Sequence, residues 1–264
     1  LSRSLLKKNQ LFTYRHQTLL LDAWVVFYNP IGVDRVLPKK IDERQIEILG
    51  RELAYFHKTC SRLLNILPVW SKTLKGDMLR LLWFLDTEEG QFQHRGTMGE
   101  IRRQVDIFDA NMNELDAHAL KAVPVFVDWN IGNFSVTEGG RFYSRWDYDW
   151  FRMSSRVLDF YFFSRVCSTA GDKTVFSYLI DTVMEDRFMI FLKAYHAVYP
   201  LSRQEVLFIK EAYRFFILNY VIKYGHYFFH DIYASRLQRE AFEIYFPRLE
   251  KDFKPDKILH ALDL

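Results

Sequence analysis

The stretch from Val123 to Asp147 constrains the fold most, because it reads as strand, loop and hairpin with a carboxylate or an amide at each joint. Val123 to Val127 is a short apolar run rich in β-branched residues, which predicts a buried strand delivering Asp128 to a loop that ends at Asn133. Phe134 to Thr137 reads as a second strand. Glu138-Gly139-Gly140 supplies turn chemistry that tolerates positive φ, and Phe142 to Trp146 returns as the partner strand, delivering Asp147. A hairpin this short doubles the chain back on itself, so Asn133 and Asp147 should lie side by side, with Asp128 in the preceding loop.

Two carboxylates and an amide oxygen at one end of a hairpin form an oxygen-only cluster, the kind that hard divalent cations prefer. No His or Cys joins it. That composition favours Mg²⁺ carrying a phosphate over a zinc site, and it leaves one carboxylate to orient or deprotonate a hydroxyl. Asp, Asn and Gly are also ordinary turn residues, so the argument rests on their joint spacing rather than on any one of them.

In that spacing the segment resembles the aminoglycoside phosphotransferase and choline kinase family, relatives of the protein kinases. The family's catalytic loop reads roughly His-Gly-Asp-x-x-x-Gly-Asn, followed after a strand, turn and strand by Ile-Asp-Trp/Phe-Glu, and then by an Asp-Leu-Ala helix. Here Asp128, Gly132 and Asn133 match the loop, Trp146-Asp147-Tyr148-Asp149 matches the metal-binding segment, and Leu158-Asp159-Phe160 matches the last element. The steps of five, fourteen and twelve residues between Asp128, Asn133, Asp147 and Asp159 are those of the family.

The resemblance implies roles. Asp128 would be the catalytic carboxylate facing the acceptor hydroxyl, and Asn133 and Asp147 would hold Mg²⁺ on the phosphates of ATP. Asp149 would offer a further metal or water ligand. Asp159 would brace the catalytic loop by accepting backbone N–H bonds. The chain departs from the family at Phe126, where a structural His is usual.

The resemblance further implies an α+β, protein-kinase-like fold: a mostly helical C-terminal lobe (residues 33–264) carrying the catalytic hairpin, preceded by a remnant of the N-terminal β lobe and the inter-lobe linker (residues 1–32). Trp24 to Tyr28 is the clearest strand outside the hairpin, and Asn29-Pro30-Ile31-Gly32 breaks it. In the family such a linker hydrogen-bonds adenine, which would assign Phe27, Tyr28 and Asn29 to the nucleotide; an ordinary strand exit reads the same locally. A Gly-rich loop over the phosphates and a strand-borne Lys are missing from the sequence. Either they lie upstream of Leu1, which the non-Met start favours, or the chain is a reduced relative that no longer transfers phosphate.

Elsewhere the chain is helical in pattern. Asp42 with Gln45, Thr97 with Glu100 and Ser202 with Glu205 are capping-box pairs. Behind them, Ile46, Leu49, Leu53 and Phe56 keep one apolar face, and Ile101, Val105, Phe108 and Met112 keep another that should pack beneath the catalytic loop. Between Leu63 and Arg95 one helix and a loop are expected, and Asp172 is placed to cap a helix running toward Tyr195. The long segment from Arg203 should break near Gly225 or Asp231. His57 reads as a satisfied structural histidine. His226 and His230 stand four apart, but Tyr227, Phe228 and Phe229 fill the interval where a helical zinc motif has its Glu.

The 36 basic and 33 acidic residues nearly cancel, which disfavours nucleic acid or an anionic membrane as partner. Only Cys60 and Cys167 are present, which suits a reducing, cytoplasmic setting, and no apolar run reaches the ~20 residues of a membrane span. The expected activity is transfer of the γ-phosphoryl group of ATP, with Mg²⁺, to the hydroxyl of a small-molecule acceptor. The rivals are a catalytically inactive kinase-like binding protein and a metal-dependent phosphohydrolase; two-metal hydrolases usually recruit further ligands that this hairpin lacks.

Overall fold

The computed structural model describes residues 13–27, 34–66, 72–172 and 177–264 in full, and the backbone alone of Leu6, Lys7, Gln10 and Leu11. The first elements are short antiparallel pairs: β1 (Leu6–Lys7) with β2 (Gln10–Leu11), then β3 (Thr13–Gln17) with β4 (Asp22–Val26). Thr18 shapes the second turn by accepting the Leu20 and Leu21 N–H groups on its hydroxyl. This hairpin leaves Tyr14, Trp24 and Val25 exposed. The strand expected from Trp24 begins at Asp22 and ends at Val26 instead. Phe27 is partly exposed just beyond it, and Tyr28 and Asn29 lie outside the described residues.

Arg35 then exchanges both backbone hydrogen bonds with Val136, which ties the entry of the helical lobe to the central hairpin. Helix α1 (Glu43–Cys60) starts at the expected capping box, with Asp42 accepting from the Gln45 N–H and Gln45 from the Asp42 N–H. Its apolar face packs along α6 (Asp186–Val198), and the two backbones approach so closely at Gly50 that a Cβ there would sit 2.5 Å from the Phe191 carbonyl oxygen.

Two expectations for the next segment are corrected. Beyond α2 (Leu74–Leu85), the stretch read as a loop holds a short helix, α3 (Glu88–Gln93), because the Thr87 hydroxyl accepts the Gly90 N–H and caps it. Helix α4 (Met98–Glu114) forms as expected, but Thr97 donates its hydroxyl to the His94 carbonyl rather than capping, and Glu100 pairs with Arg103. The buried stripe of α4 packs chiefly on α7 (Arg203–Phe216) and α2, with Phe108 against Phe215, so it supports the helical layer and does not form the floor of the loop.

The central strands form two small antiparallel pairs. β5 (Ala122–Val125) pairs with β8 (Arg152–Ser155), and β6 (Phe134–Val136) pairs with β7 (Phe142–Arg145). The hairpin matches its sequence reading to within a residue. The β5–β8 pairing had no such signal, since Arg152-Met153-Ser154-Ser155 does not alternate as a strand should. A 3₁₀ turn at Arg156–Asp159 leads into α5 (Phe160–Cys167), all of whose residues are buried.

Helix α7 keeps its capping box and runs into a π-helical stretch, Ile217–Lys223, before the chain breaks at Tyr224. Then follow α8 (Gly225–Phe228), α9 (Asp231–Glu240), α10 (Phe246–Asp252) and α11 (Pro255–Ala261). His226 and His230 fall on opposite sides of the α8–α9 break, and His226 faces Asp231 at 3.2 Å. No helix among the described residues is long and apolar enough to cross a membrane.

Candidate active site

The strand that delivers Asp128 ends earlier than its apolar run suggests. Beyond Val125 the backbone turns sharply: the Asp128 N–H donates to the Phe126 carbonyl at 2.7 Å, closing a γ-turn around Val127. Val127 has φ +64°, a left-handed conformation that a β-branched residue adopts only under compulsion. The compulsion comes from Asp159. Its Oδ1 accepts the N–H groups of Phe126 at 2.9 Å and of Val127 at 2.6 Å, as the resemblance implied, and the carboxylate is fully buried. Its other oxygen meets His57 Nε2 at 2.9 Å, while His57 Nδ1 meets the Tyr195 hydroxyl at 2.7 Å. His57 is thus the satisfied core histidine the sequence suggested, and it links α1 and α6 to the turn.

Asp128 emerges from this turn half-buried. Asn130 Nδ2 donates to one of its oxygens at 2.7 Å and Asn133 Nδ2 to the other at 2.9 Å. Burial raises the Asp128 carboxyl above its ordinary range, with the Asp147 charge adding to the shift; the bond from Asn130 and the nearby Arg145 charge pull the other way.

Asn133 and Asp147 are brought together at the mouth of the hairpin. Phe134 pairs with Arg145, and the Trp146 N–H donates to the Asn133 carbonyl at 3.0 Å, which leaves Asp147 as the next residue out. Asp147 is exposed and also has positive φ, +62°. Strained backbone at a convergence of polar groups is the pattern expected of a functional site rather than of a simple turn. Because Asn133 commits its Nδ2 to Asp128, only its Oδ1 remains for a cation. Asp149 is exposed and lines a neighbouring cavity of about 420 Å³.

Three supports escaped the sequence reading. Arg145, buried in β7, donates to the carbonyls of Asp128 at 3.0 Å and Asp147 at 2.7 Å, so one guanidinium fixes both loops. Its charge lies 4.4 Å from the centre of the Phe126 ring and 4.9 Å from that of Trp129, and burial lowers its affinity for the proton while the acids around it raise it. The Phe126 ring packs against Phe56, Tyr148 and Phe151 as well. Asp172 accepts the Ile131 N–H at 2.8 Å, which satisfies a buried loop donor; the segment it was expected to cap begins at residues 173–176, outside the described residues. Asn130 accepts the Gly132 N–H while holding Asp128, and the Asp-x-Asn spacing was its only trace in the sequence.

The donor set suits Mg²⁺. Asn133 and Asp147 would offer such an ion two protein oxygens. Mg²⁺ is commonly held by one or two protein ligands together with waters and substrate phosphates.

The small hairpins, the braced loop and the helical lobe define a protein-kinase-like fold of the kind found in small-molecule phosphotransferases. Among solved structures, the chain is similar to the amicoumacin kinase hAmiN in complex with AMP-PNP, Ca²⁺ and Ami, with a TM-score of 0.65 at 14% identity over 97% of this chain and 75% of that one. It is also similar to the streptomycin–ATP complex of APH(2'')-IIa, with a TM-score of 0.54 at 12% identity over 94% and 75% of the two chains. An aminoglycoside phosphotransferase from Alicyclobacillus acidocaldarius gives 0.51 at 12% identity over 99% and 77%. No family model matches the sequence, and neither does any curated protein.

Proposed function

We propose that the protein is an ATP- and Mg²⁺-dependent phosphotransferase that moves the γ-phosphoryl group of ATP to a hydroxyl of a small molecule. The observation that carries this reading is the strained turn at Val127, which Asp159 holds in place and which presents Asp128 beside Asn133 and Asp147. Strain of that kind clusters at active sites, ligand clamps and switch regions.

Asp128 orients the acceptor hydroxyl and takes its proton as the oxygen bonds to the γ-phosphorus and the bridging bond to ADP breaks. Its partly desolvated position favours proton acceptance over that of a surface aspartate. Asn130 and Asn133 fix the carboxylate plane, and Arg145 keeps the two loops in register. A bound Mg²⁺, held by Asn133 and Asp147 with Asp149 as a further oxygen donor nearby, would supply neutralisation of phosphate charge. Phe27, Tyr28 and Asn29 remain our assignment for the adenine-binding linker. The similar kinases were solved with ATP or AMP-PNP bound, which supports nucleotide use here.

The ionised Asp128 carboxylate costs the folded state some stability at neutral pH, because its folded pKa is raised. Asp128→Asn should therefore fold at least as firmly as the wild type while losing phosphoryl transfer by about 10²-fold or more, as expected for loss of a general base. ATP consumption across a panel of alcohols, sugars and amino alcohols by the full-length protein measures it. Turnover unchanged by Asp128→Asn would overturn the assignment. Nucleotide binding without turnover would favour the binding-protein reading, for which the departure at Phe126 is the specific support.

A further inference from the structure

The cavity beside the catalytic loop has a chemistry that the proposed reaction alone does not dictate. Its lining starts two residues after Asp147 and runs through Asp149, Trp150, Phe151 and Arg152, and the Phe151 ring packs 5.4 Å from that of Phe126. The opposite wall is the π-helical stretch of Ile217–Lys223 with the turn after it. Insertion of a π turn re-aims side chains, and such turns recur at functional sites. Here it contributes Asn219 and Tyr220, and the Tyr220 ring stacks on Trp150 at 3.9 Å and 7°.

Across the cavity, on the wall that follows Asp147, sits an unbalanced polar group. Arg152 is 3% exposed and gives Nη2 to Asp77 Oδ2 at 2.7 Å, but Nε and Nη1 are buried and have no hydrogen-bond partner among the described residues. Asn219, 1% exposed, has an equally unpartnered Oδ1. Burying a charged donor unsatisfied is among the costlier features a fold can carry, and the native examples need an explanation. A second cation, Lys223, lies 3.8 Å from Asp77 on its other oxygen, so one buried carboxylate faces two buried cations. Lys72 also lines the cavity. Burial lowers the Lys223 amine to about 8; Asp77 opposes the shift and Arg80, Lys72 and Arg152 deepen it, which marks the locality as rich in positive charge.

We propose that this cavity receives the phosphoryl acceptor as an anionic hydroxy compound, its carboxylate or phosphate held by Arg152, a neighbouring hydroxyl or amine donated to Asn219, and its apolar face laid on the Trp150–Tyr220 stack. The proposal rests on the phosphotransfer reading for the word acceptor, though anion binding itself does not require it. A volume of about 420 Å³ suits a molecule of monosaccharide size. An amino sugar bearing several ammonium groups would meet Arg152 and Lys223 as like charges.

The test uses four hexoses of one shape and differing charge: glucuronate, glucose 6-phosphate, glucose and glucosamine. Binding of each to the full-length protein is measured by calorimetry at pH 7 without nucleotide, and Mg²⁺-ATP binding is measured on the same samples. At least one anion should bind about tenfold or more tighter than glucose, and glucosamine should bind weakest, in line with a charge-assisted hydrogen bond. Whichever of the two anions binds tighter identifies carboxylate or phosphate. In Asp77→Asn with Arg152→Gln and Lys223→Met, which replaces the whole buried charge group by neutral side chains, the anion preference should disappear while the melting temperature stays near that of the wild type. Lys223→Met, a variant that leaves the Arg152–Asp77 pair in place, should reduce the same preference severalfold. The proposal is overturned if the four sugars bind alike, if none binds, or if the preference survives both variants. Those results with Mg²⁺-ATP binding intact reject the anionic acceptor alone, whereas loss of Mg²⁺-ATP binding in the wild type rejects the phosphotransfer reading.

Discussion

Asp159 does more for this structure than any other single side chain, since its two oxygens satisfy the Phe126 and Val127 N–H groups and the His57 imidazole while fully buried. Its removal leaves three buried donors bare and frees Val127 from the conformation that positions Asp128. Leaving a buried donor without its acceptor costs about 1–3 kcal/mol, so Asp159→Ala, which bares three, should lower the denaturant midpoint by the equivalent of several kcal/mol. Asp159→Asn, which keeps one acceptor oxygen, should lose less. Equal midpoints for Asp159→Ala and the wild type would remove the brace from this account. The role of Asp159 was legible because its spacing from Asp128 and its place before an apolar helix fit one pattern. The roles of Arg145 and Asp172 were not, because each serves backbone groups of a loop distant in sequence or hidden behind a strand residue. Such bonds leave no trace in side-chain periodicity.

At the scale of elements, local chemistry was readable where it competes with nothing. The capping boxes at Asp42 and Ser202 formed because helix and cap are consecutive in sequence. Thr97 failed to cap because its hydroxyl found the His94 carbonyl, a competing local acceptor. The β5–β8 pair and the π-helical stretch both depend on tertiary contacts and could not be read at all. One connection of that kind is testable by pH. His94 follows α3, packs edge-on to Phe84 and lies close enough to the Ile222 carbonyl of the π-helical stretch to feel its dipole. Burial lowers its pKa to about 4, with the His226 charge adding to the shift. In the unfolded chain it would take up a proton near 6.5, so the folded state holds fewer protons between those values. The resulting stability is fully present above about pH 6.5 and is lost as pH falls toward 4, by about 2–3 kcal/mol for this one group. His94→Gln should flatten that part of the profile of denaturant midpoint against pH. An identical slope in both proteins would show that His94 titrates normally.

For the whole molecule, aromatic residues at 17% of the chain announced a core built from rings, and the buried clusters around Tyr161, Phe191 and Trp129 follow that expectation. The α+β, kinase-like architecture was legible only through the resemblance that one hairpin and three spacings bear to a known family, since nothing in the helix patterns alone implies it. The helix order around it was less legible: α4 proved to serve the helical layer, while α1 supplies the contact to the loop through His57. The central claim is that the hairpin mouth holds a cation on nucleotide phosphates while Asp128 stands free of that task. Calorimetric titration of ATP into the full-length protein, with and without Mg²⁺, addresses it most directly in the wild type, Asp147→Asn and Asp128→Asn. Mg²⁺-dependent binding is expected, which Asp147→Asn should weaken about tenfold or more if a charged metal ligand is lost, and which Asp128→Asn should leave nearly unchanged. Wild-type protein that binds no nucleotide, or an Asp147→Asn variant that binds it as the wild type does, would contradict it.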